Sequence, residues 1–312
     1  MRWTGATGTA LPPSINYDSP GELKAFMDER GIGMRKKFGQ NFMINPHERS
    51  MLIDALELPA EAKVWEAGAG LGAMTAGLLE RGADVTAFEI DPAFARALRE
   101  FFGDNSVTGK GSFHLVEGDI LKTWRSANVN CDELFLFGNL PYNIAAALIA
   151  DFIEKGRFFI RAVITVQKEV ARRMAASPGS VDYSSFSVLC SSVYKVKLLK
   201  IIKPSSFYPA PRVDSQGVRM DLISEPGRKK PKFFYPLVRS LFSSRRKTIR
   251  NTLTAFASSV IINSELQGKA FLSAKEAAEE VLKKAGISGG RRAETLVIDE
   301  FAALAAFLGE RF

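Results

Sequence analysis

The segment with the most evident chemistry is Asn139-Leu140-Pro141-Tyr142, which closes the hydrophobic run Glu133-Leu134-Phe135-Leu136-Phe137-Gly138. That run reads as a buried parallel strand, and a strand ending this way sets rigid polar groups over a pocket. Pro141 fixes its own φ and biases Leu140 toward an extended conformation, so the Asn139 side-chain oxygen and a neighbouring backbone carbonyl are held as two acceptors. Tyr142 adds a flat stacking face. Two acceptors beside an aromatic ring meet the needs of an exocyclic amine such as N6 of adenine, which donates two hydrogen bonds while its base stacks. A proline-terminated strand followed by a buried tyrosine fits the same four residues.

A second constellation is the glycine turn Glu66-Ala67-Gly68-Ala69-Gly70-Leu71-Gly72-Ala73, which lets backbone approach a ligand at the start of a helix. Gly68, Gly70 and Ala73 satisfy the G-x-G-x-x-A form of a dinucleotide site, and Glu89 follows at the spacing of a ribose-binding acid. NAD and S-adenosylmethionine both carry an adenosine whose ribose hydroxyls need an acidic acceptor, so Glu89 serves either cofactor. Asp119, in Glu117-Gly118-Asp119-Ile120, is placed either to accept from an adenine amine or to cap a helix beginning at Ile120.

These groups need a scaffold of alternating elements. Lys63 to Ala67, Asp84 to Glu89, Phe113 to Val116, Glu133 to Gly138 and Arg161 to Val166 read as strands, separated by helices such as Pro92 to Phe102 and Ala145 to Glu154. The alternation predicts an α/β fold with a doubly wound, Rossmann-like parallel sheet. Three parts are expected: residues 1–33, with a short helix opened by Ser19-Pro20-Gly21-Glu22; residues 34–224, carrying the sheet; and residues 225–312, a small helical domain after the charged linker Glu225 to Pro231.

The 312 residues, 46% hydrophobic and 24% charged, form an ordinary globular composition, and the net charge of +8 with a pI near 9.4 favours a polyanionic partner. No apolar run approaches the ~20 residues of a membrane span. Cys131 and Cys190 suit buried thiols in a reducing cytoplasm, and His47 and His114, the only histidines, form no ligand cluster, so no metal is expected. At 100° per residue, Arg239, Arg246 and Arg250 fall within about 20° of one line on a helix. Val238, Phe242, Ile249, Leu253 and Phe256 fill the adjacent face, so one helix is expected to pack inward while offering arginines to phosphates or presenting an ordinary solvated charged face. Arg35-Lys36-Lys37 and Arg228-Lys229-Lys230 add to the same charge.

Taken in order, Arg35 to Phe42, the turn from Glu66 to Thr75, Phe88-Glu89-Ile90-Asp91, Gly118-Asp119, Gly138 to Ile144, Phe207-Tyr208-Pro209-Ala210-Pro211-Arg212-Val213-Asp214-Ser215 and Leu241 to Asn251 form a series of motifs. The chain resembles the small-subunit ribosomal RNA adenine N6,N6-dimethyltransferases, the kasugamycin-sensitivity family, from Arg35 to Leu296. Ala67 and Ala69 stand where the family often has Ile and Pro, and Ala145 replaces a common Ser. The resemblance implies an S-adenosylmethionine-dependent enzyme that dimethylates two adjacent adenines near the 3′ end of small-subunit RNA, as a monomer acting in the cytoplasm on an immature 30S particle. It assigns Gln40, Asn41 and the Met43 backbone to the methionine end of the cofactor, Gly68 and Gly70 to its amino-acid and ribose portions, Glu89 to the ribose and Asp119 to the adenine. Asn139, which also borders the cofactor, and the Leu140 carbonyl take the target amine, with Pro141 fixing their geometry, and Tyr142 and Phe207 clamp the base. The alternatives are a macrolide-resistance type enzyme acting on large-subunit RNA, a catalytically silent RNA-binding assembly factor, and an NAD-dependent dehydrogenase. The last is disfavoured because no His or Lys acid/base accompanies the glycine turn.

Overall fold

Apolar segments flanked by helices become the centre of a sheet buried on both faces. The computed structural model describes residues 15–35, 39–103, 106–108, 111–127, 133–141, 144–224, 230–263 and 273–311. Its strands are β1 (Phe42–Met43), β2 (Lys63–Ala67), β3 (Asp84–Glu89), β4 (Ser106–Thr108), β5 (Gly111–Glu117), β6 (Leu134–Asn139), β7 (Arg161–Gln167), β8 (Tyr194–Ile202), β9 (Phe207–Tyr208) and β10 (Ser215–Leu222). The helices are α1 (Pro20–Glu29), α2 (Pro46–Asp54), α3 (Ala73–Glu80), α4 (Pro92–Phe102), α5 (Ile120–Thr123), α6 (Ala145–Glu154), α7 (Lys168–Met174), α8 (Ser185–Ser191), α9 (Phe234–Phe242), α10 (Ile249–Asn263), α11 (Ala274–Ala285) and α12 (Ile298–Arg311).

Eight strands form one sheet in the order β4-β5-β3-β2-β6-β7-β10-β8. The chain winds outward from β2 through β3 to β5, then returns to the other side of β2 with β6 and β7, and these five strands are parallel. The winding reverses between β2 and β6, so a crevice opens beyond their carboxyl ends, where doubly wound sheets bind ligands. The expected doubly wound parallel sheet forms the centre, and antiparallel strands extend it at both margins. β4 is antiparallel to β5 and β10 to β7, with β8 outside β10. β8 carries Lys195, Lys197 and Lys200 on a mostly exposed strand, the charged edge that discourages further strand pairing. A separate two-stranded sheet pairs Phe42 with Tyr208 and Met43 with Phe207.

The chain divides into two compact units, one holding the described residues of Met1–Ala171 with Val196–Leu222, the other those of Arg172–Lys195 with Ile223–Phe312. Residues 172–195 therefore group with the C-terminal helices, while Ile15, Tyr17 and the buried face of α1 belong to the core beneath the sheet. In the second unit, Tyr183 and Val188 share a core with Phe234, Leu241, Ile249 and Phe301.

The single arginine-bearing helix expected across residues 239–250 is also corrected, because α9 stops at Phe242 and α10 starts at Ile249. Ser243 Oγ donates to the Ser240 carbonyl at 2.7 Å, the kind of local bond by which serine competes with helix continuation. The new helix is met from elsewhere in the chain: Ile249 and Arg250 N–H donate to the Arg291 and Gly289 carbonyls. Arg239 thus lies on α9, Arg246 in the turn and Arg250 on α10.

Candidate active site

The carboxyl ends of β2 and β6 deliver the two central motifs to one place. β2 passes into Gly68, Gly70 and Gly72, all at positive φ, which permits the tight turn into α3. β6 ends at Asn139, and Pro141 follows. One cavity is lined by Gln40, Asn41, Met43, Gly68, Gly70, Glu89, Asn139 and Pro141, so it gathers eight of the residues singled out from sequence. Phe42, Leu71, Ile90 and Phe94 add apolar walls that spacing alone did not reveal. Ile90, 39% exposed beside the buried Glu89, stands where a flat ring could lie against it.

Glu89 organises the turn. One carboxylate oxygen accepts the Gly70 N–H at 2.7 Å and the other accepts the Asp91 N–H at 2.8 Å, tying the glycine turn to the start of α4. Burial pushes its pKa up to about 7, against the pull of the Asp91 and Gly70 N–H groups, and the nearby Asp91 charge adds to the rise. Glu66, at the end of β2, is likewise raised to about 7 by burial, while its bond from Thr75 Oγ1 at 2.6 Å opposes the shift and the Glu89 charge adds to it.

Asn139 Nδ2 donates to the Asn41 carbonyl at 2.7 Å. A carbonyl can only accept, so this contact defines which end of the amide is nitrogen and leaves Oδ1 as an acceptor in the cavity wall. Gln40 is engaged within the protein: it accepts from the Arg35 N–H at 2.8 Å and donates to Asp91 at 3.1 Å. The Met43 carbonyl already accepts from Arg49 at 2.8 Å. Asp91 and Glu66, to which the motifs containing them gave no role, and Arg49, which lies in none, are thus support residues; burial of a charged side chain is the signal that finds them.

Three expected residues are not brought to the cavity lining. Asp119 caps α5 by accepting the Leu121 N–H at 3.0 Å, although the Gly118 N–H to Glu89 carbonyl bond places it one residue beyond the tip of β3. Leu140 is buried, and its N–H donates to the Thr165 carbonyl. Phe207 is 3% exposed and packs in the core, where its strand holds Met43 by the β1 to β9 pairing. Tyr142, together with Lys36, Lys37, Arg228 and Lys229, lies outside the described residues. Among the described residues no cluster of His, Cys, Asp and Glu could hold a metal ion, and no helix is long and apolar enough to cross a membrane.

The chain is similar in sequence and in fold to known proteins. A family model described as ribosomal RNA adenine dimethylase matches residues 32–298. The ribosomal RNA small subunit methyltransferase A of Treponema denticola is 43% identical over 305 residues, 97% of this chain and 99% of that protein. Among solved structures, a dimethyladenosine transferase from Plasmodium falciparum is 26% identical with a TM-score of 0.66, covering 83% of this chain and 94% of that one. The 23S rRNA methyltransferase ErmE superimposes with a TM-score of 0.57 over 85% of this chain and 98% of its own, at an identity of 22% that speaks for the fold alone. With the family model spanning most of its length and a relative of this identity matched nearly end to end, the chain belongs to the ribosomal RNA adenine dimethylase family.

Proposed function

We propose that Asn139 holds the N6 amine of an adenine in small-subunit ribosomal RNA, in a cavity that binds S-adenosylmethionine, for dimethylation of that amine. The observation that carries this reading is the Asn139 amide, whose nitrogen is committed to Asn41 and whose oxygen is therefore a directed acceptor. The site suits the cofactor. A Cβ at Gly68 would meet no atom within 4 Å, so the turn borders open space, and a buried carboxylate at Glu89 stands beside it to accept ribose hydroxyls. Asp119, at the tip of β5, is the acceptor proposed for the cofactor's adenine amine. Gln40, Asn41 and Met43 form the wall proposed for the methionine end.

S-adenosylmethionine supplies a methyl group already activated by its sulfonium. The protein's task is then to aim a weak nucleophile, because the N6 lone pair is delocalised into the ring. Asn139 Oδ1 and the Leu140 carbonyl would draw both N–H groups from the ring plane and favour an amine-like geometry as the transition state forms. Tyr142 would stack on the target base, which must first leave its neighbours in the RNA. Phe207 is assigned a supporting role, holding the Asn41 to Met43 wall through β9, in place of the direct stacking expected from sequence.

We further propose that the targets are two adjacent adenines near the 3′ end of the RNA, within an immature small subunit, and that the protein acts as a cytoplasmic monomer. The motif series supports the target pair, and a relative of 43% identity named for the small subunit, against 22% for ErmE, favours that RNA over the large-subunit one. Asn139→Ala should lower the single-turnover rate by about 10²-fold at saturating cofactor, as for other preorganised polar groups. Primer-extension mapping of methylated adenines reads both the rate and the position, and a wild-type rate in the folded variant would remove Asn139 from the mechanism.

A further inference from the structure

The cavity is bounded by two pieces of backbone, the irregular Gly68 to Leu71 turn and the Gln40 to Met43 segment, of which only Phe42 and Met43 form a short strand. Gly39, Gly68 and Gly70 all sit at positive φ, so these walls are built from the residue type with most conformational freedom to lose. A ligand that must order such walls binds more weakly than one meeting them already fixed.

A single dipeptide ahead of α1 holds both. Tyr17, 7% exposed, donates its hydroxyl to the Leu71 carbonyl at 2.8 Å across 54 residues of sequence. The next residue, Asp18, accepts from Arg49 Nη2, and Arg49 Nη1 donates to the Met43 carbonyl at 2.8 Å. Arg49 is 8% exposed, so its guanidinium bonds where water competes little. The Asp18 N–H is fixed in turn by Asn16 Oδ1 at 3.1 Å.

The side chains of Leu71 and Met43 pack in the core, and the hydrogen bonds from Tyr17 and Arg49 fix their backbone carbonyls as well. The tie's own residues Tyr17 and Arg49 also line a second, open pocket of about 190 Å³ with Ser50, Ile53 and Arg81. Ala73 lines both cavities.

We propose that Tyr17, Asp18 and Arg49 form a tie that positions the two walls for S-adenosylmethionine, making the segment before α1 part of the cofactor machinery. The inference rests on the reading of this cavity as the cofactor site. All three are positioning residues acting through backbone, so their loss should weaken cofactor affinity while sparing the methyl-transfer step. Calorimetric titration of the full-length protein with S-adenosylmethionine tests this. Tyr17→Phe, which keeps the ring and loses the bond to Leu71, should raise Kd about 10-fold, with the single-turnover rate at saturating cofactor and the KM for RNA unchanged. Asp18→Ala should do the same, and Asp18→Asn, which keeps an acceptor for Arg49, should restore affinity to within about 2-fold of wild type. If Tyr17→Phe does not fold, as judged by its thermal midpoint, the Asp18→Ala and Asp18→Asn pair carries the test. Wild-type affinity in the folded Tyr17→Phe and Asp18→Ala proteins, or equal losses in cofactor affinity, RNA KM and rate, would overturn the tie. Failure of the wild type itself to bind S-adenosylmethionine would instead strike the reading of the cavity.

Discussion

Glu66 and Glu89 place two carboxyls near pH 7 against one turn, and this gives the site a pH signature of its own. Unfolded, both ionise near the usual 4.5; folded, burial holds the proton on until about 7. Between those values the folded protein binds more protons than the unfolded chain. The stability they contribute is therefore complete below about 4.5 and is lost as pH rises through about 7. Carboxylates such as Glu57, held low by its bond from Arg219, act at lower pH and leave this window clear. The thermal midpoint of the cofactor-free protein should fall by a few degrees from pH 5 to pH 7. Glu66→Gln should flatten that fall, and a slope identical to wild type would contradict the assigned burial.

At the level of elements, the β1 to β9 pair and the break between α9 and α10 change what two substitutions should do. Phe207 lies in the core, so Phe207→Ala should cost about 3–5 kcal/mol of folding stability by opening a cavity. Denaturant melts would read this, and an unchanged midpoint together with a raised RNA KM would return Phe207 to the stacking role. Arg246 is exposed in the turn, whereas Arg250 pairs with Glu279 at 2.6 Å on a half-exposed surface. Arg246→Glu should therefore flatten the salt dependence of RNA binding by more than Arg250→Glu does. Filter binding across a salt series gives both slopes, and equal slopes would restore the two arginines to one surface. The strands 63–67 and 84–89 and the helices 92–102 and 145–154 were legible to the residue. Buried apolar runs set the strands, and Asp91, Pro92 and Gly103 bracket the first of those helices. The 239–250 helix was not, because a 3.6-residue pattern continues across a serine turn that only partners from residues 289–291 reveal. Asn139 and Glu89 could be picked out because motifs carry them, while the contacts that orient the site, Asn139 to the Asn41 carbonyl across 98 residues and Gln40 to Asp91 across 51, join segments far apart in sequence.

Over the whole molecule, the chain leaves the sheet unit after Ala171 and re-enters it at Val196, so neither unit is continuous in sequence. A chain ending at residue 224 would keep Tyr183 and Val188 but lose Phe234, Leu241, Ile249 and Phe301, which complete their core. It should expose that apolar surface and bind a hydrophobic dye strongly, and a dye-silent, cooperatively melting fragment would argue for independence of the first 224 residues. The strand order also sets a timetable for biosynthesis. β8 is made before β10, yet in the finished sheet β10 lies between β8 and β7. As the nascent chain emerges, the outer edge of β7 (ending at Gln167) therefore waits unpaired through some fifty further residues until β10 is complete at Leu222, and β8, made in between, has no place to dock until then. At about 5–20 residues per second that interval lasts several seconds, during which β7 is a docking edge for other nascent chains or for chaperones.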